Sequence, residues 1–236
     1  MAKLLSIQKL LQKNPSSNAK TTCWYSYGSI VSPCLRSRGV NRLDGFIPSH
    51  TGASYTGAAA SLENDFAPKR RTGLLRGIPA PVRGDLLQIS GPAKIRVLYP
   101  PPGLNARAAA DKALVLRLET AGTRVLFMPG SSPAAERWLL QNESDLRSAI
   151  LVTNQHGVET SDDLNFLKAV QPKAIVCLAP KFPPSTHIDE AWTAEVTNSG
   201  IHLLRQDETG AVRIDLNPGD FTIHPFLGNQ IFHSRN

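Results

Sequence analysis

Cysteine is scarce in this chain of 236 residues, and its three copies are not grouped. Cys23, Cys34 and Cys177 form no C-x-x-C pair, which argues against a clustered thiolate metal site. Cys177 lies in the apolar run Ala174-Ile175-Val176-Cys177-Leu178 and reads as a core residue. Pairing of Cys23 with Cys34 in an oxidising compartment stays open. Aromatic residues make up only 6%, and no aromatic-studded motif for stacking bases is present. No apolar run is long enough to cross a bilayer. The first residues also lack the continuous apolar core and small-residue cleavage site of a signal peptide. Instead, lysines interleave with apolar residues from Met1 to Lys13, the pattern of a short basic amphipathic helix. Such a helix packs on the domain, touches an acidic lipid surface or frays.

What is present suffices for a packed core. Hydrophobic residues reach 41%, and 18 prolines with 17 glycines imply many turns. The net charge of +7 suits an anionic partner or simple solubility. Its one tight cluster, Lys69-Arg70-Arg71, lies in a Gly- and Pro-rich stretch (69–82) and reads as a solvated loop before it reads as a binding patch.

Periodicity orders the elements. Residues 28–39 suit a helix stopped by Gly39, 43–47 a short strand, and 57–66 a second helix. Residues 86–89 and 94–98 are strand-like. Residues 113–119 and 123–128 form a hairpin through Ala121-Gly122. Ser132-Pro133 opens a helix to about Asn142, with serine as its cap. Two strand–loop–helix steps follow: strand 149–153 with a helix capped by Ser161-Asp162-Asp163, then strand 173–178 with helix 189–198. Residues 201–205 and 211–216 read as a hairpin, which leaves His202 on its surface. Hairpins followed by strand–helix alternation imply an α/β fold with mixed sheets and outer helices. Three regions are expected: a basic amphipathic segment (1–27), the folded domain (28–217) and a loosely docked tail (218–236).

The stretch Leu43 to Ala58, with Ser49-His50 after a short strand, resembles the S-H-x-D-x-D-H-x-G-G metal loop of the metallo-β-lactamase superfamily. The collinear set is more specific. Pro33 to Asp44 resembles the P-x-L-R-x-x-G-V-x-x-L-D stretch of the ComEC-type competence (DNA-internalisation) proteins, in their C-terminal metallo-β-lactamase-like domain. Lys112 to Leu118 resembles the family's N-x-S-L-V-L-R-L strand, and Val125 to Ser131 its L-L-L-T-G-D. Val152 to Val158 resembles its H-H-G-S loop, and Gln206 to Val212 its T-D-x-x-G-A-V segment. The resemblance implies an αββα sandwich over roughly residues 28–216. The family's opening strand pair has no counterpart before Gly28, so a shortened relative or a fragment is expected. The resemblance also implies a bacterial, membrane-associated or extracytoplasmic setting.

Carried onto this chain, the metal positions are His50, Gly52, Ser54, Tyr55, Ser131, Gln155 and His156. Two are imidazoles and none is a carboxylate. A catalytic zinc needs three or more tightly placed nitrogen, oxygen or sulfur ligands, so no metal cofactor and no catalytic residue are expected. His50 and His156 either form a weak two-histidine site or bond to backbone and water. Ser131 between strand and helix lacks the G-x-S-x-G setting of an activated serine and reads as a turn. The leading expectation is a degenerate, non-catalytic domain related to DNA uptake. It would bind DNA through phosphate contacts, with Lys69, Arg70, Arg71, Arg76 and Arg83 as candidates, or another protein of the competence machinery. The alternatives are a phosphodiester hydrolase with a remodelled zinc or manganese site and a decayed fragment without activity.

Overall fold

The computed structural model describes residues 27–51, 56–74, 77–88, 92–120, 122–154, 163–178, 188–228 and 230–234. A seven-stranded sheet forms its centre. Its strands are β3 (Leu86–Gln88), β4 (Lys94–Tyr99), β5 (Val115–Thr120), β6 (Thr123–Met128), β7 (Ile150–Thr153), β8 (Ala174–Cys177) and β9 (His202–Arg205), side by side in chain order. The first four run antiparallel, and β6 to β9 run parallel. The change has a simple cause. The links from β3 to β4 and from β5 to β6 are short, and residues 100–114 bring the chain back beside β4, whereas the parallel steps need crossovers long enough to hold a helix.

Those crossovers contain helices Pro133–Asn142, Asp163–Val170 and Glu190–Asn198. The first occupies the residues that the Ser-Pro start signal predicts. Alternation along the buried strands sends successive side chains to opposite faces. Leu126, Met128, Leu151 and Ile175 meet Leu139, Phe166, Val170 and Trp192 of the three helices. Val125, Ile150, Val152 and Val176 face the other way, onto Ile214, Leu216, Phe221 and Ile223.

The second group belongs to a three-stranded antiparallel sheet of β10 (Val212–Asn217), β11 (Asp220–Pro225) and β12 (Phe232–Ser234). Two expectations change here. Residues 201–216 are not a hairpin: β9 pairs parallel with β8, and a four-residue helix, Gln206–Thr209, carries the chain away to the small sheet. The segment after 217, expected as a loose tail, supplies β11 and β12, because Phe221 and Ile223 bury completely against the large sheet. His202 is accordingly half-buried. Its ring stacks on Phe232 at 4.3 Å, and burial lowers its pKa.

The N-terminal part has its own small cluster. A wide helical turn, Tyr27–Val31, leads into helix Ser32–Ser37. Tyr27 and Leu35 pack with Ala58 and with Phe66 of helix Ala59–Phe66. The Tyr27 hydroxyl donates to Asp65 at 2.5 Å. Burial, aided by that carboxylate, pushes its pKa up to about 12. Strands β1 (Gly45–Phe46) and β2 (Arg70–Arg71) pair parallel beside this cluster. Ile47 and Leu74 join it to the face of the large sheet that the small sheet covers. Among the described residues no helix is long and apolar enough to cross a membrane.

Candidate functional site

The parallel strands set the stage. Met128, Thr153, Cys177 and Arg205 end β6, β7, β8 and β9 in register. The loops beyond them leave one edge of the sheet, where layered α/β folds gather their binding groups. Ser131 lies three residues past the end of β6, and Asn154 directly follows β7.

His50 reaches the same edge by another route. The Ser49 carbonyl accepts the Leu114 N–H at 2.7 Å. Leu114 immediately precedes β5, and Leu116 pairs with Phe127 near the end of β6. The loop is pinned from the other side by Leu74, whose N–H bonds the Pro48 carbonyl at 2.9 Å. Gly73 makes this approach possible: its φ is +106°, and a Cβ there would stand 2.5 Å from the Pro48 oxygen. His50 is thereby buried, and burial lowers its pKa, so the imidazole is neutral at pH 7.

The start of the helix after β6 departs from the cap that the sequence suggests. Ser132 has the extended backbone of a cap residue, but its side chain makes no capping bond. Only its carbonyl takes part, accepting from Ala135. The hydroxyl oxygens of Ser131 and Ser132 are buried and have no hydrogen-bond partner among the described residues. Each is a local cost of order 1–3 kcal/mol relative to a satisfied group.

Gly52, Ser54, Tyr55, Gln155, His156 and Arg76 lie outside the described residues. Of the seven candidate metal positions, the structure therefore places His50 and Ser131, both on loops of this one edge. Among the described residues no three His, Cys, Asp or Glu side chains stand close enough to hold a metal ion. A neutral imidazole is the form a metal binds; a catalytic zinc takes three protein ligands, and at these positions the described residues supply one imidazole and one hydroxyl.

The basic candidates are not a free patch. Lys69 pairs with Asp44 at 2.7 Å and Arg71 with Glu63 at 3.5 Å. Arg70 is exposed on β2. Arg83 pairs with Glu143 and donates to the Asn142 carbonyl at 3.0 Å. Its guanidinium lies 5.4 Å from the Trp138 ring centre. Lys69 and Arg71 thus bind the N-terminal part, whereas Arg83 binds the end of the helix after β6.

One constellation at this edge escaped the sequence reading. Arg205 ends β9 with its side chain buried, and it bonds Asp207 at 3.1 Å and Glu190 at 2.9 Å. Glu208 adds a third carboxylate at 3.5 Å. Burial opposes the charge, but these partners more than offset it and raise the Arg205 pKa. The only signal available was an arginine two residues before an Asp-Glu pair at a strand end.

No family model matches the chain. It is 23% identical over 218 residues to ComE operon protein 3 of Bacillus subtilis (strain 168), covering 83% of this chain and 28% of that protein. It is 29% identical over 199 residues to competence protein ComA of Neisseria gonorrhoeae, covering 80% of this chain and 28% of that protein. The chain thus spans under a third of the length of these curated relatives. Igni18, a metallo hydrolase from the archaeon Ignicoccus hospitalis, has a similar fold: the TM-score is 0.50 at 12% identity, over 78% of this chain and 80% of that one. By sequence the chain is similar to ComEC-type competence proteins, and its fold is similar to that of a metallo hydrolase.

Proposed function

With likeness to competence proteins and a metallo-hydrolase fold as the premise, we propose that this chain is a non-catalytic domain of DNA-uptake machinery that binds DNA and does not cut it. One observation carries the reading. Ser131, at the end of β6, stands where the resemblance calls for a metal-binding aspartate, and its hydroxyl is turned into the protein. Hydrolysis of a phosphodiester by metal-bound water needs an ion to lower the water's pKa and to neutralise charge on the phosphate oxygens. A hydroxyl in place of a carboxylate supplies neither the charge nor the affinity such an ion needs.

DNA contact would then rest on the chain's excess of positive charge, and it would be sequence-blind. Ion pairs at Lys69, Arg71 and Arg83 spread that attraction over the surface. Affinity is therefore expected to be modest and to fall steeply with salt. The alternative, a phosphodiester hydrolase with a remodelled zinc or manganese site, draws support from the neutral His50 at the same edge.

Elemental analysis of purified chain, paired with binding of a labelled duplex at two salt concentrations, separates the readings. No stoichiometric metal and salt-sensitive binding without cleavage are expected. One tightly held ion per chain with chelator-sensitive cleavage would establish the hydrolase instead. Absence of binding at low salt would remove DNA as the partner.

A further inference from the structure

We propose that the exposed apolar end of the small sheet, with the acidic group beside it, is the docking surface for this chain's own residues 3–13. The turn between β11 and β12 presents Phe226, Leu227 and Ile231, which are 78%, 53% and 49% exposed. Three large apolar side chains on one turn are unusual on a surface that no described residue covers. The turn is held firmly: the Phe226 N–H donates to the Ala211 carbonyl and the Leu227 N–H to the Thr209 carbonyl, both at 2.8 Å. Leu227 also closes over Gly210, where a Cβ would lie 3.2 Å from its Cγ. The apolar display is therefore a fixed feature of the fold.

Its surroundings select the occupant. Thr209 ends the short helix that carries Asp207 and Glu208, and its hydroxyl donates to the Arg205 carbonyl at 2.8 Å. Around Arg205, three carboxylates share one guanidinium. The Glu190 and Glu208 side chains remain 77% and 65% exposed. This apolar surface is thus bordered by negative charge in a chain whose net charge is +7. An anionic lipid or a nucleic acid would be repelled there. A segment alternating lysines with leucines is complementary on both counts. Residues 3–13 (Lys-Leu-Leu-Ser-Ile-Gln-Lys-Leu-Leu-Gln-Lys) have that composition. Lys9 and Lys13 fall one helical turn apart, as do Ile7 and Leu11. Residues 14–26 separate the segment from Tyr27 and reach up to roughly 45 Å when extended, comparable to the span of a domain of this size.

Zero-length carbodiimide coupling of the full chain, with an equal mixture of ordinary and 15N-labelled protein, tests this. The expected products are peptides joining Lys3, Lys9 or Lys13 to Glu190 or Glu208, with both halves carrying the same isotope. The pair E190K and E208K should abolish these products. Adding K3E, K9E and K13E should restore coupling with the partners exchanged. Phe226→Ser, at a side chain too exposed to affect folding, should lower the yield severalfold. Absence of the products in the parent chain, their persistence after charge reversal, or insensitivity to Phe226→Ser would overturn the proposal. Products of mixed isotope alone would also overturn it, by assigning the surface to a second copy.

Discussion

The interior of the large sheet and the edge where its parallel strands end obey different rules. Leu126, Ile150 and Ile175 in the interior are fully buried among other apolar groups, so their burial is favourable throughout. At the edge, a few residues away along the same strands, sit a buried imidazole, two buried hydroxyls with no partner among the described residues and a buried guanidinium shared by three acids. Groups at the edge can thus change while the scaffold persists, because sheet packing does not depend on them.

Breaking the interior should have the largest effect. Leu126 lies on the middle strand, and Leu126→Ala leaves a cavity against the helix layer. It should cost about 4 kcal/mol, within the range for buried leucines. Urea unfolding reads this directly, and a loss below about 1 kcal/mol would mean the sheet is not the stability centre. Arg205→Ala comes next at about 3 kcal/mol, because it strands the nearly buried Asp207 carboxylate. A neutral result would show that the acids simply turn to water.

Acid should sharpen the contrast further. The folded-state pKa values of His50 and His202 are lowered by burial. Above the unfolded pKa of about 6.5 both states are neutral and these groups cost nothing. As pH falls below that value the unfolded chain takes up protons first, so stability declines. The urea midpoint should therefore drop between pH 7.5 and pH 5.5, and less so in a His50→Asn, His202→Asn double variant. An equal drop in both proteins would place the acid sensitivity elsewhere. Ser131→Ala should have the smallest effect and the opposite sign, raising stability by about 1 kcal/mol, since it removes a buried hydroxyl whose missing partner is a local cost. A loss above about 2 kcal/mol would reveal a partner for that hydroxyl.

The sequence carried the layered core well and the edge poorly. Buried runs such as Ile150–Thr153 and the Ser-Pro helix start at residue 132 are local signals, and the elements lie where they point. Strand partners are not local. His202–Arg205 and Val212–Asn217 each alternate as strands, and a turn-like Asp-Glu-Thr-Gly joins them. Nothing in that pattern says that β8 competes for the first and β11 for the second. His202 was misplaced for the same reason, since its cover, Phe232, comes from the segment expected as a tail. At the edge, the family resemblance alone named His50 and Ser131, and the buried grouping around Arg205 depends on a fold that brings Glu190 alongside.

The order of the chain has a consequence for its synthesis. One face of the large sheet is closed by Ile214, Leu216, Phe221 and Ile223, all made after every strand of the sheet they cover. Until residue 223 has left the ribosome, Val125, Ile150, Val152 and Val176 form an apolar face open to water. The helix-backed face, complete once Val196 is in place, has no such interval. A stalled nascent chain ending shortly after Arg205 should accordingly engage chaperones through the uncovered face, and release them when the last two strands are added.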